Sequence, residues 1–401
     1  MNKKFVVIGS SAAGMGAVAT LRQLDAHAEI ICISDEMQMP YNKCLLPDYV
    51  AGDKQLADIF TRPQEFFDQQ KINLLLGKKV EKISPVARKI ILVDGDEISY
   101  DKLLIATGAH ARKINLEKMC AGIFYFYSLH DILRLKEYCA SHAVSSVLVV
   151  GSGLTGMECA DALEQNGISV SVLESNSRVI NSLLDQQGAA VVRLNAEKIG
   201  VRFFLDEELK EIVQDDGRIA AVKTKSGRVI GAQMIVFAIG SVQNIKLAHD
   251  AAIDTSKNGI LVNECMQTSS PDVYAAGDCV ETFDRITNNR LASFKWSDAV
   301  SQGVCAAHAM VGQSKPYAGI FQFYSSYFFQ NKFFVAGSQQ LAFDQEFNKV
   351  TNSSYVSCKM REGKLCSVII IGYEKIVPII RAHYARQDFI TESMLEEIFN
   401  S

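Results

Sequence analysis

The sequence predicts an α/β protein built around two similar strand–turn–helix units. The first begins at Lys4, where a short apolar strand, a turn of small residues and a helix follow one another. The second begins at Val147 and repeats that order. Residues 317–401 then change to aromatic-rich strands and a helical tail, which predicts a small α+β domain at the end of the chain.

Both turns have the composition of a phosphate-binding loop. The second turn contains three glycines in the G-x-G-x-x-G spacing, Gly151, Gly153 and Gly156. Leu154 and Thr155 lie between the last two glycines, and Glu158 follows within the helix region. The first turn contains Gly9, Ser11, Ala12, Ala13 and Gly14, with Ser11 at the middle glycine position. Such a turn brings the backbone close to a pyrophosphate, and the helix N-terminus offers free N–H groups to it. Two copies predict two dinucleotide sites.

Acidic residues follow the second strand of each unit, where an acid can bind ribose hydroxyls. Glu174 ends the strand after the second turn, close to the expected ~20-residue spacing. It favours NADH over NADPH, because a carboxylate repels a 2′-phosphate, although Arg178 is a nearby cation. Asp35 and Glu36 are the equivalent candidates in the first unit, and each is about as compatible with an ordinary turn acid.

Composition excludes several classes of function. The net charge of −4 does not favour nucleic acid or an anionic membrane as a partner. The sequence contains no apolar run long enough to span a membrane, and the four-residue run before Gly9 is too short for a signal peptide. The ten cysteines are scattered and the seven histidines lack ligand spacing, so we expect no metal site. A cytoplasmic location is expected, since such cysteines suit a reducing compartment.

The segment from Pro40 to Gly52 places a cysteine between two prolines. Pro47 is tolerated in the first turn of a helix, which would put Cys44 at or just before a helix N-terminus. There, with Lys43 beside it, the thiol pKa would fall and a redox-active thiolate would be favoured. The alternative is a small buried cysteine beside a solvated lysine, and local sequence alone slightly favours it.

Further motifs resemble the pyridine nucleotide–disulfide oxidoreductase family, whose members bind FAD and a nicotinamide nucleotide. These motifs are Ala106-Thr107-Gly108, Ala238-Ile239-Gly240 and Ala276-Gly277-Asp278. The resemblance implies two Rossmann-like three-layer domains, one split by insertion of the other. The FAD domain would comprise residues 1–112 and 244–316, the NADH domain residues 113–243, and the C-terminal α+β domain residues 317–401.

The same resemblance assigns the site residues. The residues implied for FAD are Gly9, Ser11, Ala12, Ala13, Gly14, Asp35, Glu36, Lys43, Ala106, Thr107, Gly108, Gly277, Asp278 and Trp296. The residues implied for NADH are Gly151, Gly153, Leu154, Thr155, Gly156, Glu158, Glu174 and Gly240, with Glu158 beside the nicotinamide. Hydride would pass from NADH to FAD, and the flavin would carry the chemistry.

Two branches of the family disagree about the electron acceptor. Cys44-Leu45-Leu46-Pro47 resembles the branch of coenzyme A disulfide reductases and NADH oxidases, in which one cysteine acts in catalysis with a disulfide, persulfide, peroxide or oxygen as acceptor. Tyr41-Asn42-Lys43 and the tail from Gly363 resemble NADH:rubredoxin reductases and the flavin unit of nitrite reductases, which implies a small redox protein as acceptor. The sequence narrowly favours catalysis through Cys44 with Lys43.

Two further expectations concern assembly and role. The single-cysteine branch contains many homodimers, so we expect a homodimer formed through the last 85 residues. A hypothesis of a different class is a redox-sensing flavoprotein that acts by binding a partner, for which the aromatic segment from Phe321 to Phe334 could be the surface.

Overall fold

The computed structural model describes residues 2–115 and 120–400 of the 401. Contacts within the chain define two compact units. Unit 1 comprises Met1–Leu46, Gln55–His110 and Ser241–Phe321, and unit 2 comprises Pro47–Lys54, Ala111–Gly240 and Gln322–Ser401. Residues 116–119, which fall inside the predicted domain 113–243, lie outside the described residues.

The centre of unit 1 is a five-stranded parallel sheet. Its strands, in spatial order, are β20 (Val273–Ala275), β7 (Lys102–Ile105), β1 (Lys4–Ile8), β2 (Glu29–Ile33) and β3 (Ile72–Leu75). Phe5, Val6 and Val7 on β1 are fully buried, as expected of a central parallel strand covered on both faces. The edge strand β20 comes from the far end of the chain, so two distant segments build this sheet.

Helices and three small sheets complete unit 1. The helices are α1 (Ala12–Leu24), α3 (Leu56–Ile59), α4 (Gln64–Gln69), α8 (Lys246–Asp250) and α9 (Trp296–Met310). Helix α2 (Leu46–Ala51) begins at Leu46, which is the last residue of the first segment of unit 1. The strands are β4 (Val80–Ser84), β5 (Lys89–Leu92) and β6 (Glu97–Ser99) in one sheet, and β18 (Thr255–Ser256), β19 (Gly259–Leu261), β21 (Val280–Phe283) and β22 (Arg290–Ala292) in another. A two-stranded pair joins β8 (Ala109–Ala111) to β17 (Ser241–Gln243).

Helices α1 and α9 pack closely because glycines line their contact. A Cβ on Gly303 of α9 would lie 2.0 Å from the carbonyl oxygen of Ala13, and one on Gly16 of α1 would lie 2.8 Å from that of Val300. Neither position can hold a larger side chain without moving a helix. The two contacts run in opposite directions along the helices, so the middle of α9, around Gly303, lies beside the start of α1 and the first glycine turn.

Unit 2 contains a second five-stranded parallel sheet. Its order is β12 (Arg202–Phe204), β11 (Ser169–Leu173), β10 (Ser146–Val150), β16 (Met234–Phe237) and β9 (Ile123–Tyr125). Its helices are α5 (Leu129–His142), α6 (Leu154–Glu164) and α7 (Gln186–Lys198). An antiparallel sheet of β13 (Leu209–Asp215), β14 (Arg218–Thr224) and β15 (Val229–Gly231) follows α7 and β12 in sequence.

The C-terminal part of unit 2 is an antiparallel sheet with two helices. The strand order is β23 (Phe323–Phe328), β24 (Asn331–Gly337), β27 (Lys364–Ile371), β26 (Tyr355–Arg361) and β25 (Gln345–Val350), and the helices are α10 (Val377–Arg386) and α11 (Glu392–Asn400). The Tyr355 hydroxyl donates to Asp185, the N-cap of α7, at 2.7 Å. This sheet therefore packs on the second parallel domain through specific polar contacts.

The predicted fold class is confirmed: two Rossmann-like domains, one formed from separated segments, and a C-terminal α+β domain. The exact domain boundaries stay a prediction, because the contacts group residues 47–54 and the C-terminal domain with the second Rossmann-like domain. Among the described residues, no helix combines the length and the apolar character needed to cross a membrane.

Candidate dinucleotide and redox site

The first glycine turn is shaped by the strand beside it. Gly9 follows β1 with φ +112, and a Cβ there would lie 2.0 Å from the carbonyl oxygen of Ala106 at the end of β7. A Cβ on Gly14 would lie 1.8 Å from the carbonyl oxygen of Gly9. Ser11, the N-cap of α1, has φ −88 in the extended region, and its side chain makes no capping hydrogen bond. The middle position therefore has no conformational need for glycine.

The second turn obeys the same constraints. Gly151 has φ +101, and its Cβ would lie 2.5 Å from the carbonyl oxygen of Ala238 at the end of β16. A Cβ on Gly156 would lie 2.1 Å from the carbonyl oxygen of Gly151. Gly153, the N-cap of α6, differs because nothing lies within 4 Å of the position of its Cβ. Open space beside a helix N-terminus fits the pyrophosphate of a dinucleotide.

Glu174, the predicted ribose acid, is tied to the second turn. Its carboxylate accepts hydrogen bonds from the backbone N and hydroxyl of Ser152 at 2.8 and 2.7 Å, and from the backbone N and side-chain amide of Asn176 at 2.9 and 2.6 Å. Burial raises the pKa of Glu174, but the bonds from Ser152 and Asn176 outweigh it and hold the pKa below its usual value. Glu174 therefore supports the turn as a fixed negative charge beside it.

The Arg178 side chain is directed toward its own loop. Its Nη2 atom lies 3.5 Å from the carbonyl oxygen of Asn181, which is a weak contact. In the first unit, Asp35 is exposed and Glu36 is half-buried after β2. The Glu36 backbone N–H donates to the Ser34 hydroxyl at 3.2 Å, and its carbonyl accepts from Gly77 at 3.0 Å. The sequence alternatives for these two acids therefore stay open.

The chain returns to the first turn at Gly277. Its backbone N–H donates to the buried Gln302 side chain of α9 at 2.8 Å, and its Cβ would lie 3.0 Å from that of Ala13. Burial raises the pKa of the next residue, Asp278, to about 6, while Lys43 lowers it and Asp298 raises it further. The structure thus brings together Lys43, Asp278 and the first turn, which the family resemblance assigns to FAD.

Two residues of this region escaped the sequence reasoning. Asn244 donates its side-chain amide to the carbonyl of Thr107 at 2.7 Å, and its own carbonyl accepts from the Thr107 hydroxyl at 2.8 Å. Gln302 holds Gly277, as described above. Neither residue belongs to a local motif, because each acts on a segment more than 20 residues away. Gly108 and Gly240, which follow β7 and β16, have φ of +61 and +93 with no neighbour within 4 Å of a Cβ.

Cys44 lies in a short 3₁₀ turn, Lys43–Leu45, just before α2. Its backbone N–H donates to the Asn42 side chain at 3.0 Å. All ten cysteines are described, and Cys44 alone is exposed. Burial raises the pKa of several others, including Cys32 to about 12 and Cys279 to about 11, which keeps those thiols unreactive.

A cavity of about 490 Å³ adjoins this cysteine turn in unit 1. Asn42 and Leu45 contribute to it from the two sides of Cys44 in the sequence. The remaining walls come from α1, α9 and residues 58–62, including Met15, Ala19, Trp296 and Val300. Trp296, which begins α9, therefore lines a space that is large enough for part of a small molecule.

Glu158 lies in the second turn of α6, after Leu154 and Thr155. Its carboxylate accepts a 2.6 Å hydrogen bond from the hydroxyl of Ser326 on β23. Burial raises the pKa of Glu158, the Ser326 bond lowers it, and Asp48 and Asp161 raise it again, with a net upward shift. Ser326 carries no motif in the sequence, so only the fold reveals this contact. Among the described residues, no group of His, Cys, Asp or Glu is arranged to hold a metal ion.

These features can be compared with known proteins. The profile of the family Pyridine nucleotide-disulphide oxidoreductase matches residues 3–303. The chain belongs to this family. It is an FAD-dependent NAD(P)H oxidoreductase, and FAD and NADH are its cofactors. The close contacts of Gly9 and Gly151 and the open space at Gly153 fit such cofactors.

Two curated relatives and one solved structure illustrate the similarity. An NADH oxidase of Methanocaldococcus jannaschii is 33% identical over 77% of this chain and 70% of its own length. An NADH-rubredoxin oxidoreductase of Clostridium acetobutylicum is 25% identical over 99% of both chains. A ferredoxin reductase of Rhodopseudomonas palustris has the same fold, with a TM-score of 0.90 and 24% identity over 98% of this chain and 96% of its own.

Proposed function

We propose that this flavoprotein passes electrons from NADH through FAD to a small redox protein of the rubredoxin type. The observation that supports this most is the similarity to the clostridial NADH-rubredoxin oxidoreductase over 99% of both chains, which includes the C-terminal domain. The family profile ends at residue 303, so it carries no information about that domain. The similarity in the Tyr41 to Pro47 segment and in the tail agrees with this proposal.

The position of Lys43 agrees with a part in the flavin site that both branches of the family would share. In the structure, the charge of Lys43 lowers the pKa of the buried Asp278 carboxyl. Lys43 therefore lies near the residues proposed to hold FAD, and this placement suits a carrier protein as acceptor as well as a disulfide.

The residues proposed to bind the cofactors follow from the two turns. Gly9 to Gly14, Thr107, Gly108, Gly277 and Asp278 would hold FAD, and Gly151 to Gly156 with Glu174 would hold NADH. FAD accepts a hydride and releases electrons singly when it is bound. The protein's own part is to cradle each pyrophosphate and to place a negative charge, Glu174, where a 2′-phosphate would be repelled.

The test is steady-state reduction of purified rubredoxin and ferredoxin by the FAD-loaded enzyme with NADH. We expect at least one carrier to be reduced faster than a small disulfide, and Cys44→Ser to retain more than about half of the carrier turnover. The Cys32→Ser variant is the matched control for a cysteine that is buried. The proposal would be refuted if neither carrier is reduced while a small disulfide is reduced fast.

A second candidate is a reductase that acts on a disulfide, persulfide or peroxide through Cys44. The exposure of Cys44 and the cavity of about 490 Å³ beside its turn favour it. In this path NADH, one proton and a disulfide would give NAD⁺ and two thiols, with Cys44 forming a mixed disulfide in between. Two measurements distinguish the candidates: uptake of more than two electrons per FAD in an anaerobic titration with NADH would require a redox-active cysteine, and unchanged disulfide turnover in Cys44→Ser would exclude catalysis through Cys44.

A homodimer in the cytoplasm is the assembly that we propose. Exposed aromatic side chains on the C-terminal sheet and its surroundings support an interface there, with Tyr327, Phe343 and Phe389 being 59%, 45% and 67% exposed. Sedimentation at micromolar concentration is the direct measurement. A monomer at that concentration, with full carrier reduction, would refute the dimer and leave the catalytic proposal intact.

A further inference from the structure

Two hydrogen bonds join α6 to the hairpin between β23 and β24. The Ser326 hydroxyl donates to Glu158, and the Phe329 backbone N–H donates to Asp161 at 2.9 Å. The donors are three residues apart on the hairpin and the acceptors are three residues apart on the helix. Acceptors spaced by three lie on one face of a helix, so the whole hairpin end is fixed against that face.

The backbone of the hairpin turn is strained, so the turn needs stabilising contacts such as these hydrogen bonds. Phe329 and Gln330 form a two-residue turn with φ of +49 and +60, and neither residue is glycine. Turns with two positive φ values normally use Asn or Gly, because other side chains pay an energetic cost there. The Asp161 bond to Phe329 and the burial of Phe328 and Phe329 stabilise the turn and so keep Ser326 in place.

Glu158 is positioned to influence a dinucleotide on the second turn. It is the fifth residue of α6, about 6 Å along the axis from the first. The Cα–Cβ bonds of a helix tilt toward its N-terminus, which is the end that carries the second turn, and the family resemblance implies that Glu158 lies beside the nicotinamide. The oxidised nicotinamide ring carries a positive charge and the reduced ring carries none. A carboxylate at this place therefore stabilises NAD⁺ more than NADH.

We propose that Ser326 is a positioning residue for Glu158, and that their hydrogen bond makes the dinucleotide site favour NAD⁺ over NADH. The inference rests on the proposed assignment of the second turn to NADH, but not on the identity of the electron acceptor. It gives the C-terminal domain a part in nucleotide binding, because Ser326 belongs to β23 while Glu158 belongs to the Rossmann-like domain.

The charges around Glu158 explain why a single hydroxyl matters. The titratable groups that face it are Asp48 of α2, Asp161 of α6 and the buried Cys159 thiol. Both carboxylates disfavour ionisation of Glu158, as does its burial, and the Ser326 bond is the contribution that favours it. Removing the hydroxyl therefore moves the pKa of Glu158 further upward, so that less of it is ionised at a given pH.

The experiment measures nucleotide binding to the oxidised, FAD-loaded enzyme by calorimetry from pH 5 to 9. The probes are NAD⁺ and tetrahydro-NAD, an unreactive analogue with an uncharged ring. For Ser326→Ala we expect the Kd of NAD⁺ at pH 7 to rise about threefold to tenfold and that of the analogue to change less than about twofold. The pH midpoint of NAD⁺ binding should move upward by about 0.5–1 unit.

Three further variants separate positioning from simple support. Ser326→Thr keeps a hydroxyl and should restore the wild-type midpoint. Ser325→Ala, at the exposed neighbouring position, should change neither Kd. Glu158→Gln should remove the pH dependence, and adding Ser326→Ala to it should have no further effect on NAD⁺ binding.

Several results would overturn the inference. Equal weakening of NAD⁺ and its neutral analogue, with an unmoved midpoint, would mean that Ser326 only supports the fold. Unchanged nucleotide binding in Ser326→Ala would also refute the inference. The same loss of NAD⁺ affinity in Ser325→Ala would refute it as well. Carrier reduction by the same variants is measured separately, so a wrong acceptor and a wrong role for Ser326 give different patterns.

Discussion

Gly156 provides a sharp test of how the second turn is built, because only sterics forbid a side chain there. It lies within α6 without a positive φ, so alanine would gain about 1 kcal/mol from helix propensity if space allowed. Its Cβ would instead lie 2.1 Å from the Gly151 carbonyl oxygen, whereas ordinary contacts begin at 3.4 Å. Since the atom in the way is backbone, α6 or the turn must move by about 1 Å, a form of overpacking.

We expect Gly156→Ala to lower the free energy of unfolding by about 2 kcal/mol. Overpacking costs about 1–3 kcal/mol or more, and the gain in helix propensity offsets only part of it. The melting temperature of the domain should fall by about 5 °C. The assay is thermal unfolding of the FAD-loaded enzyme followed by near-UV circular dichroism, with flavin release recorded separately because the two units need not unfold together.

Gly153→Ala in the same turn is the matched control. Nothing lies within 4 Å of its Cβ, and its φ of −66 suits alanine, so stability should change by less than about 0.5–1 kcal/mol. Its affinity for NADH should nevertheless fall about tenfold or more, because the methyl group occupies the space proposed for the pyrophosphate. Wild-type stability in Gly156→Ala, or the larger loss of stability in Gly153→Ala, would refute the reasoning.

The remaining predictions concern unit 1. Gly9→Ala should reduce FAD retention and soluble yield, because this position combines φ +112 with a 2.0 Å backbone clash. Gly95→Ala, at φ +92 in open space, should lower the free energy of unfolding by only about 1–2 kcal/mol, as measured by denaturant unfolding. The FAD-free protein should lose stability as the pH rises through about 6, because the raised pKa of Asp278 makes ionisation of this carboxyl unfavourable in the folded state. In urea titrations, Asp278→Asn should remove this pH dependence. Asn244→Ala removes the side-chain hydrogen bond to the Thr107 carbonyl and should weaken FAD binding as measured by fluorescence, while Asn258→Ala in the turn between β18 and β19 should not.

Local sequence patterns were sufficient to predict those helices and strands whose pattern lies within a single element. The apolar run before Gly9 became β1, the small-residue turn became the start of α1, and the same order recurs at β10 and α6. These elements could be predicted because periodicity and turn composition act within about 20 residues.

Contacts between distant segments could not be predicted in this way. Gln302 meets Gly277 across 25 residues, Asn244 meets Thr107 across 137, and Ser326 meets Glu158 across 168. Each of these polar residues looks ordinary in its own segment. Their roles depend on which strands and helices become neighbours, which is decided by burial of apolar surface over a whole domain.

The sequence by itself determined that two glycine turns exist and that each follows a buried strand. It could not distinguish the kinds of glycine within them, because a glycine that avoids a backbone clash and one that leaves room for a ligand read identically. Only the tertiary structure separates Gly9 and Gly151, which face carbonyl oxygens of the neighbouring strand, from Gly153, which faces open space. The physical reason is that a close approach belongs to two segments, and in each of these two turns the neighbouring strand lies about 90 residues away in the chain, β7 for the first and β16 for the second.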